Sequence, residues 1–172
     1  MSSLIQRTVA PTEDNAYYYR DNPFYVSGVG MPNCTAYAWG RFWEATKIYP
    51  TNLSLDNAEN WYYKQDGYER GSDPKIGAII CWLKGNAWDS SDGAGHVAFV
   101  ERVFADGSIL TSESGYGDSR FWWTKRRYKE YNWGGMDYTF QGFIYPPIEF
   151  TNTVTMAQLI PVLWKMSNER RF

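Results

Sequence analysis

The hydrophobic pattern of this chain changes from helical to strand-like period near Pro74, and that change restricts the fold more than any other feature. Upstream, the stretch Asn33-Cys34-Thr35-Ala36-Tyr37-Ala38-Trp39-Gly40-Arg41 predicts a helix from Cys34 to about Lys47. Asn33 is a suitable N-cap, and Pro32 keeps the preceding loop out of the helical region. Tyr37, Trp39, Phe42 and Trp43 are too apolar for a solvated element, so this helix packs on something. A second helix is expected near Asp56, covering Ala58 to Lys64, before Gly67 and Gly71 break the chain. Downstream of Pro74 the apolar runs are short and strand-like. They are Ile76–Trp82, Gly95–Val103, Ser108–Glu113, Arg120–Trp123 and Phe140–Tyr145. Asp106-Gly107 predicts a two-residue hairpin joining the second run to the third. Helices first and antiparallel strands after them make an α+β domain. Pro146-Pro147 closes it, giving residues 1–150 as the domain and 151–172 as a helical tail or the start of a linker.

Composition removes several classes of partner. The formal charge of −2 gives no basis for binding nucleic acid or an anionic membrane surface. No run is long and apolar enough to span a bilayer. The first residues, Met1 to Arg7, lack the apolar core of a signal peptide, so synthesis in the cytoplasm is expected. That start also argues against pairing the 2 cysteines in a disulfide. Cys81, inside an apolar strand, reads as a small core residue. With 9 Trp and 14 Tyr, the chain has more rings than a core needs, and exposed rings suit stacking on sugars or, equally, packing within loops.

Cys34 stands apart from Cys81. A thiol in the first turn of a helix feels the positive end of the macrodipole, which favours the nucleophilic thiolate. Cysteine hydrolases also need an imidazole to shuttle the proton and a polar group to orient it. The chain has a single histidine, His96, at the start of a predicted strand, followed by Ser112-Glu113-Ser114. Tyr37 and Gln65 are further polar groups that could serve nearby.

Four blocks then resemble one known family. Asn33–Gly40, Pro74–Trp82, Gly95–Glu101, and Asp106–Ser108 with Ser112-Glu113-Ser114-Gly115-Tyr116-Gly117 are similar, in order and spacing, to the CHAP family. These are cysteine, histidine-dependent amidohydrolases/peptidases that cut bacterial peptidoglycan. The resemblance covers about residues 30–146 and implies a papain-like fold. It implies Cys34 as nucleophile, His96 as base and later acid, and Glu113 as the group that orients His96. Many members carry Asn two residues after the Glu, where this chain has Gly115. The resemblance implies cleavage of an amide, either the N-acetylmuramoyl-L-alanine bond or a bond in the stem or cross-bridge peptide. A bacteriophage endolysin, released to the wall from the host cytoplasm, is the expected source. The rival is a non-catalytic wall-binding or structural virion module on the same fold.

No cofactor is expected. Some relatives bind calcium just before the cysteine, but residues 25–33 here hold no carboxylate. The loop with Asp89 and Asp92 offers a weak calcium site as one alternative, but reads first as a solvated loop. The two-residue hairpin raises one geometric demand. It sets His96 opposite Gly117 and Glu113 opposite Val100, four residues out of register and about 13 Å apart along a strand. A bulge or bend must bring the two together, or else Glu113 is a solvated carboxylate at a strand end.

Overall fold

The computed structural model describes residues 2–84, 93–117, 120–128, 133 and 138–151. Of the expected C-terminal tail only Thr151 falls within them, and the Asp89–Asp92 loop lies outside them.

The architecture is α+β. The described elements run β1 (Ser2–Ser3), α1 (Pro23–Val26), α2 (Cys34–Thr46), a 3-10 turn (Ala58–Asn60), β2 (Arg70–Gly71), β3 (Ile79–Leu83), β4 (His96–Val103), β5 (Ile109–Glu113), β6 (Trp122–Arg126), β7 (Thr139–Ile144) and β8 (Phe150–Thr151). Six strands form one antiparallel sheet in the order β2-β7-β3-β4-β5-β6. β1 and β8 pair separately and in parallel.

Alternation along the central strands explains their continuous apolar runs. Ile79, Cys81, Val97, Phe99 and Ile144 join one cluster with Ala38, Trp39 and Phe42 of α2. Ile80, Trp82, Ala98, Val100 and Phe143 join a second cluster with Trp133 and Tyr145. A strand buried on both faces needs apolar residues at every position. Cys81 is fully buried within this core and both thiols are free. Burial pushes its thiol well above the usual range, which makes it inert.

α2 is locked onto the sheet by buried polar contacts. Arg41 donates from Nε and Nη2 to the Glu101 carboxylate at 2.7 and 2.8 Å. The Ser112 hydroxyl donates to the same carboxylate at 2.7 Å, and Tyr37 donates to Ser112 at 2.8 Å. Arg41 also reaches Ile5 O and Glu44, and Arg7 and Tyr18 of the N-terminal arm both bond Glu44. The buried charges are therefore paired from several sides, as burial of an ion requires. Gly40 lets the N-terminal arm lie close against α2, because a Cβ there would lie 2.6 Å from Tyr17 O.

Two local expectations are corrected. The helix expected around Ala58 to Lys64 is only the 3-10 turn Ala58–Asn60. Its polar groups have other partners: Glu59 N donates to Ala94 O, Trp61 Nε1 to Asp56 O, and Arg70 takes the carbonyls of Trp61 and Tyr62. The hairpin holds three loop residues instead of two. Phe104 N donates to Ser108 O across Ala105-Asp106-Gly107, with Gly107 at φ 77° and Asp106 Oδ1 accepting from Ser108 N. That is the three-residue loop with a left-handed glycine.

Candidate active site

Cys34 is the first residue of α2. Asn33 caps the helix: its Oδ1 accepts from Thr35 N at 3.0 Å and from Thr35 Oγ1 at 2.8 Å. Its Nδ2 donates to Val29 O, so the cap is itself held. Cys34, 9% exposed, sits on the wall of a cleft of about 730 Å³. His96, Glu113, Trp82, Trp122, Arg126 and Tyr138 line the same cleft.

The register question resolves in favour of contact. The observed ladder pairs Val103 with Ile109 and Arg102 with Leu110, then slips to pair Val100 with Thr111 and Phe99 with Ser112. The slip falls at Glu101, the residue pinned by Arg41. Together with the longer hairpin loop it moves β5 by two residues relative to the ideal two-residue turn. Continued, this register sets Glu113 opposite Ala98, two residues from His96. That is a diagonal of about 7 Å, within reach of long side chains. The contact is made: His96 Nε2 lies 2.8 Å from Glu113 Oε2.

The other imidazole nitrogen, Nδ1, is not taken by Glu113, and Cys34 lines the same cleft and acts on the ring electrostatically. Burial alone would lower the His96 pKa, but the bonds to Cys34 and Glu113 outweigh it and lift it to about 9. Glu113 shows the opposite balance. Burial favours its neutral form, yet the bond from His96 and the charge of Arg126 hold it down to about 2. The result is an imidazolium facing a carboxylate at neutral pH. The ring is also clasped by aromatics, with Trp82 at 5.7 Å and 25° and Trp122 at 6.3 Å and 14°. Gly95 sits just before it at φ +70°, where a Cβ would lie 2.5 Å from Trp82 O. No other residue fits that corner.

Of the expected site residues, Cys34, His96 and Glu113 come together. Tyr37 is buried against Ser112, and Gln65 is exposed; neither lines the cleft. Two contributors went unseen in the sequence. Thr111 Oγ1 donates to Glu113 Oε1 at 2.7 Å, and Arg126 Nη2 lies 2.7 Å from each Glu113 oxygen. Arg126 sits in a Lys125-Arg126-Arg127 run; the β5–β6 register pairs it with Ile109, on the face shared by Thr111 and Glu113, and its long side chain reaches along β5 to Glu113.

Among known proteins, residues 24–115 match the CHAP domain. The chain is 34% identical over 105 residues to the probable autolysin SsaALP of Staphylococcus aureus, covering 59% of this chain and 34% of that protein. It is 32% identical over 117 residues to an N-acetylmuramoyl-L-alanine amidase domain-containing protein of the same species, covering 63% of this chain and 18% of the relative. Staphylococcal secretory antigen SsaA is 34% identical over 120 residues, with coverages of 66% and 40%. The chain thus spans less than half the length of each of these relatives. A crystal structure of N-acetylmuramoyl-L-alanine amidase from S. aureus aligns with TM-score 0.42 at 26% identity, over 58% of this chain and 29% of that one.

Proposed function

This chain belongs to the CHAP domain family, and we propose that it hydrolyses an amide bond of bacterial peptidoglycan with Cys34 as nucleophile. The carrying observation is the line from Cys34 through His96 to Glu113 within one cleft. The relatives named above are autolysins, amidase-domain proteins and secreted antigens, where the sequence expects a viral lysin; the proposed chemistry is the same for either source. No helix among the described residues is long and apolar enough to cross a membrane.

In this reading the Cys34 thiolate attacks the amide carbonyl carbon. The Cys34 backbone N–H, in the first turn of α2, helps hold the developing oxyanion. His96 is already protonated at neutral pH and gives its proton to the leaving amine. Acylation of the sulfur then removes one of the two bonds that keep the ring protonated. The freed imidazole becomes a base and activates the water that releases the acyl product. Glu113 holds the ring in one orientation through both steps.

The test is turbidity loss on purified walls followed by mass spectrometry of the soluble fragments. New amino termini, or free muramoyl carboxyl groups, support an amide hydrolase and identify the bond. Wall pelleting with no fragment released would instead support the non-catalytic binding module.

The proposal includes no metal. Nucleophile, proton carrier and orienting carboxylate are all supplied by side chains, and residues 25–33 carry no carboxylate ligand. Lysis is therefore expected to keep its rate in excess calcium chelator. A loss restored by added calcium would contradict this.

A further inference from the structure

We propose that Arg126 is a positioning residue for this reaction, its guanidinium fixing the Glu113 carboxylate in the orientation that presents Oε2 to His96. The proposal rests on the Cys34–His96 reading above. Glu113 is 1% exposed. Its two oxygens receive His96, Thr111 and Arg126, and Arg126 alone contacts both oxygens. The guanidinium is in turn held on three other sides. Nε donates to Thr111 Oγ1 at 3.1 Å, Nη1 donates to Trp133 O at 2.8 Å, and Cζ lies 4.6 Å from the centre of the Trp82 ring. Trp82 is also the ring that stacks on His96. Arg126 therefore connects the acceptor of the imidazole proton to the wall of the imidazole pocket. A surface arginine that merely neutralised a carboxylate would not need those three further contacts.

Geometry gives the residue two effects. It prevents the carboxylate from rotating away from Nε2. It also places a fixed positive charge behind Glu113, so the imidazolium faces a carboxylate whose charge is already shared. That tempers the hold on the His96 proton, which must leave for the amine. The groups facing His96 are Cys34 from α2, Glu113 from β5, Trp122 from β6, Trp82 from β3 and Tyr138 ahead of β7, with Arg126 of β6 behind Glu113. Lys84 stands behind Tyr138, 5.9 Å from its ring. Among the described residues, Arg126 is the cation other than the ring itself that contacts Glu113 directly.

The experiment is NMR titration of the imidazole, read beside steady-state wall hydrolysis, in the native protein, Arg126→Gln and Arg126→Lys. With a single histidine in the chain, the titration reports His96 alone. In Arg126→Gln the midpoint is expected to rise by about one unit, since a nearby positive charge has been removed. Its kcat is expected to fall with KM little changed. Arg126→Lys keeps the charge and loses the fork, so it should restore the native midpoint while leaving kcat below native. A structural role alone would lower stability without moving the midpoint. An unmoved midpoint in folded Arg126→Gln would overturn the proposal. Should that variant fail to fold, a fully native kcat in Arg126→Lys would overturn it instead. If the native protein releases no wall fragments, the hydrolase reading fails, while the titration still decides whether Arg126 acts on His96 through Glu113.

Discussion

Cys34→Ser is expected to cut wall hydrolysis by a factor on the order of 10⁴ or more while the protein stays folded. The change is nearly isosteric. Serine is a good residue at a helix start, and Asn33 still caps α2 through Thr35. What disappears is the nucleophile. A thiol near an imidazolium ionises readily and is intrinsically reactive, whereas a hydroxyl needs a strong base at the moment of attack. His96, lifted to about 9 and protonated at neutral pH, is poorly placed to be that base. Circular dichroism and wall turbidity on the same preparation check the result. Cys81→Ser is the matched control. Its sulfur lies in the core on the α2 side of the sheet, so the variant should lose stability and keep most of its activity. Undiminished lysis by folded Cys34→Ser would end the cysteine mechanism.

Glu113→Gln is expected to damage both activity and stability. The glutamine keeps the shape but not the charge, and its amide N–H groups must share a buried site with the donors of Arg126, Thr111 and His96. Removing one partner of a buried charge network costs roughly 3–5 kcal/mol. Hydrolysis should fall by a factor on the order of 10² to 10⁴, as when an orienting acid is neutralised in related triads. The stability loss depends on pH in a stated direction. Glu113, held down to about 2, contributes stability that is present above its ordinary value of 4.5 and lost as pH falls toward 2. His96, raised to about 9, contributes stability that is full below 6.5 and lost as pH rises through 9. The gap between native and variant is therefore widest from about 4.5 to 6.5 and narrows on both sides. Urea melts across pH measure it. A gap that does not change with pH would mean the His96–Glu113 pair is not charged in the native state.

The contrast between Cys34 and Arg126 explains what was legible in the sequence. Cys34 owes its position to neighbours in the chain: Pro32, the Asn33 cap and the aromatic helix behind them. Local rules reach such a residue. His96 was legible because it has no competitor. Glu113 was legible as a candidate, but its distance was not, because the distance depends on a slip in the ladder at Glu101. That slip is tied to Arg41, 60 residues earlier, and no local pattern encodes it. Arg126 depended on the same register and on the next one, between β5 and β6, and was hidden in a basic run. The failed helix around residues 58–64 is the reverse case. Its local pattern is helical, but backbone groups there bond to Ala94 and Arg70, so tertiary contacts override the propensity.

The central claim is that His96 acts on Cys34. The direct measurement is the rate of iodoacetamide alkylation at neutral pH, followed by peptide mass spectrometry, in the native protein and in His96→Ala. Cys81, fully buried with its thiol held protonated, serves as the internal unreactive site. The nucleophilic form of a cysteine is favoured by a neighbouring imidazolium, so removing the His96 ring is expected to slow alkylation. The account predicts that Cys34 in the native protein reacts at least about tenfold faster than in His96→Ala, with the difference closing as pH rises past the ordinary thiol range. Equal rates in the two proteins across the whole pH range would show that His96 does not act on Cys34, and would contradict the account.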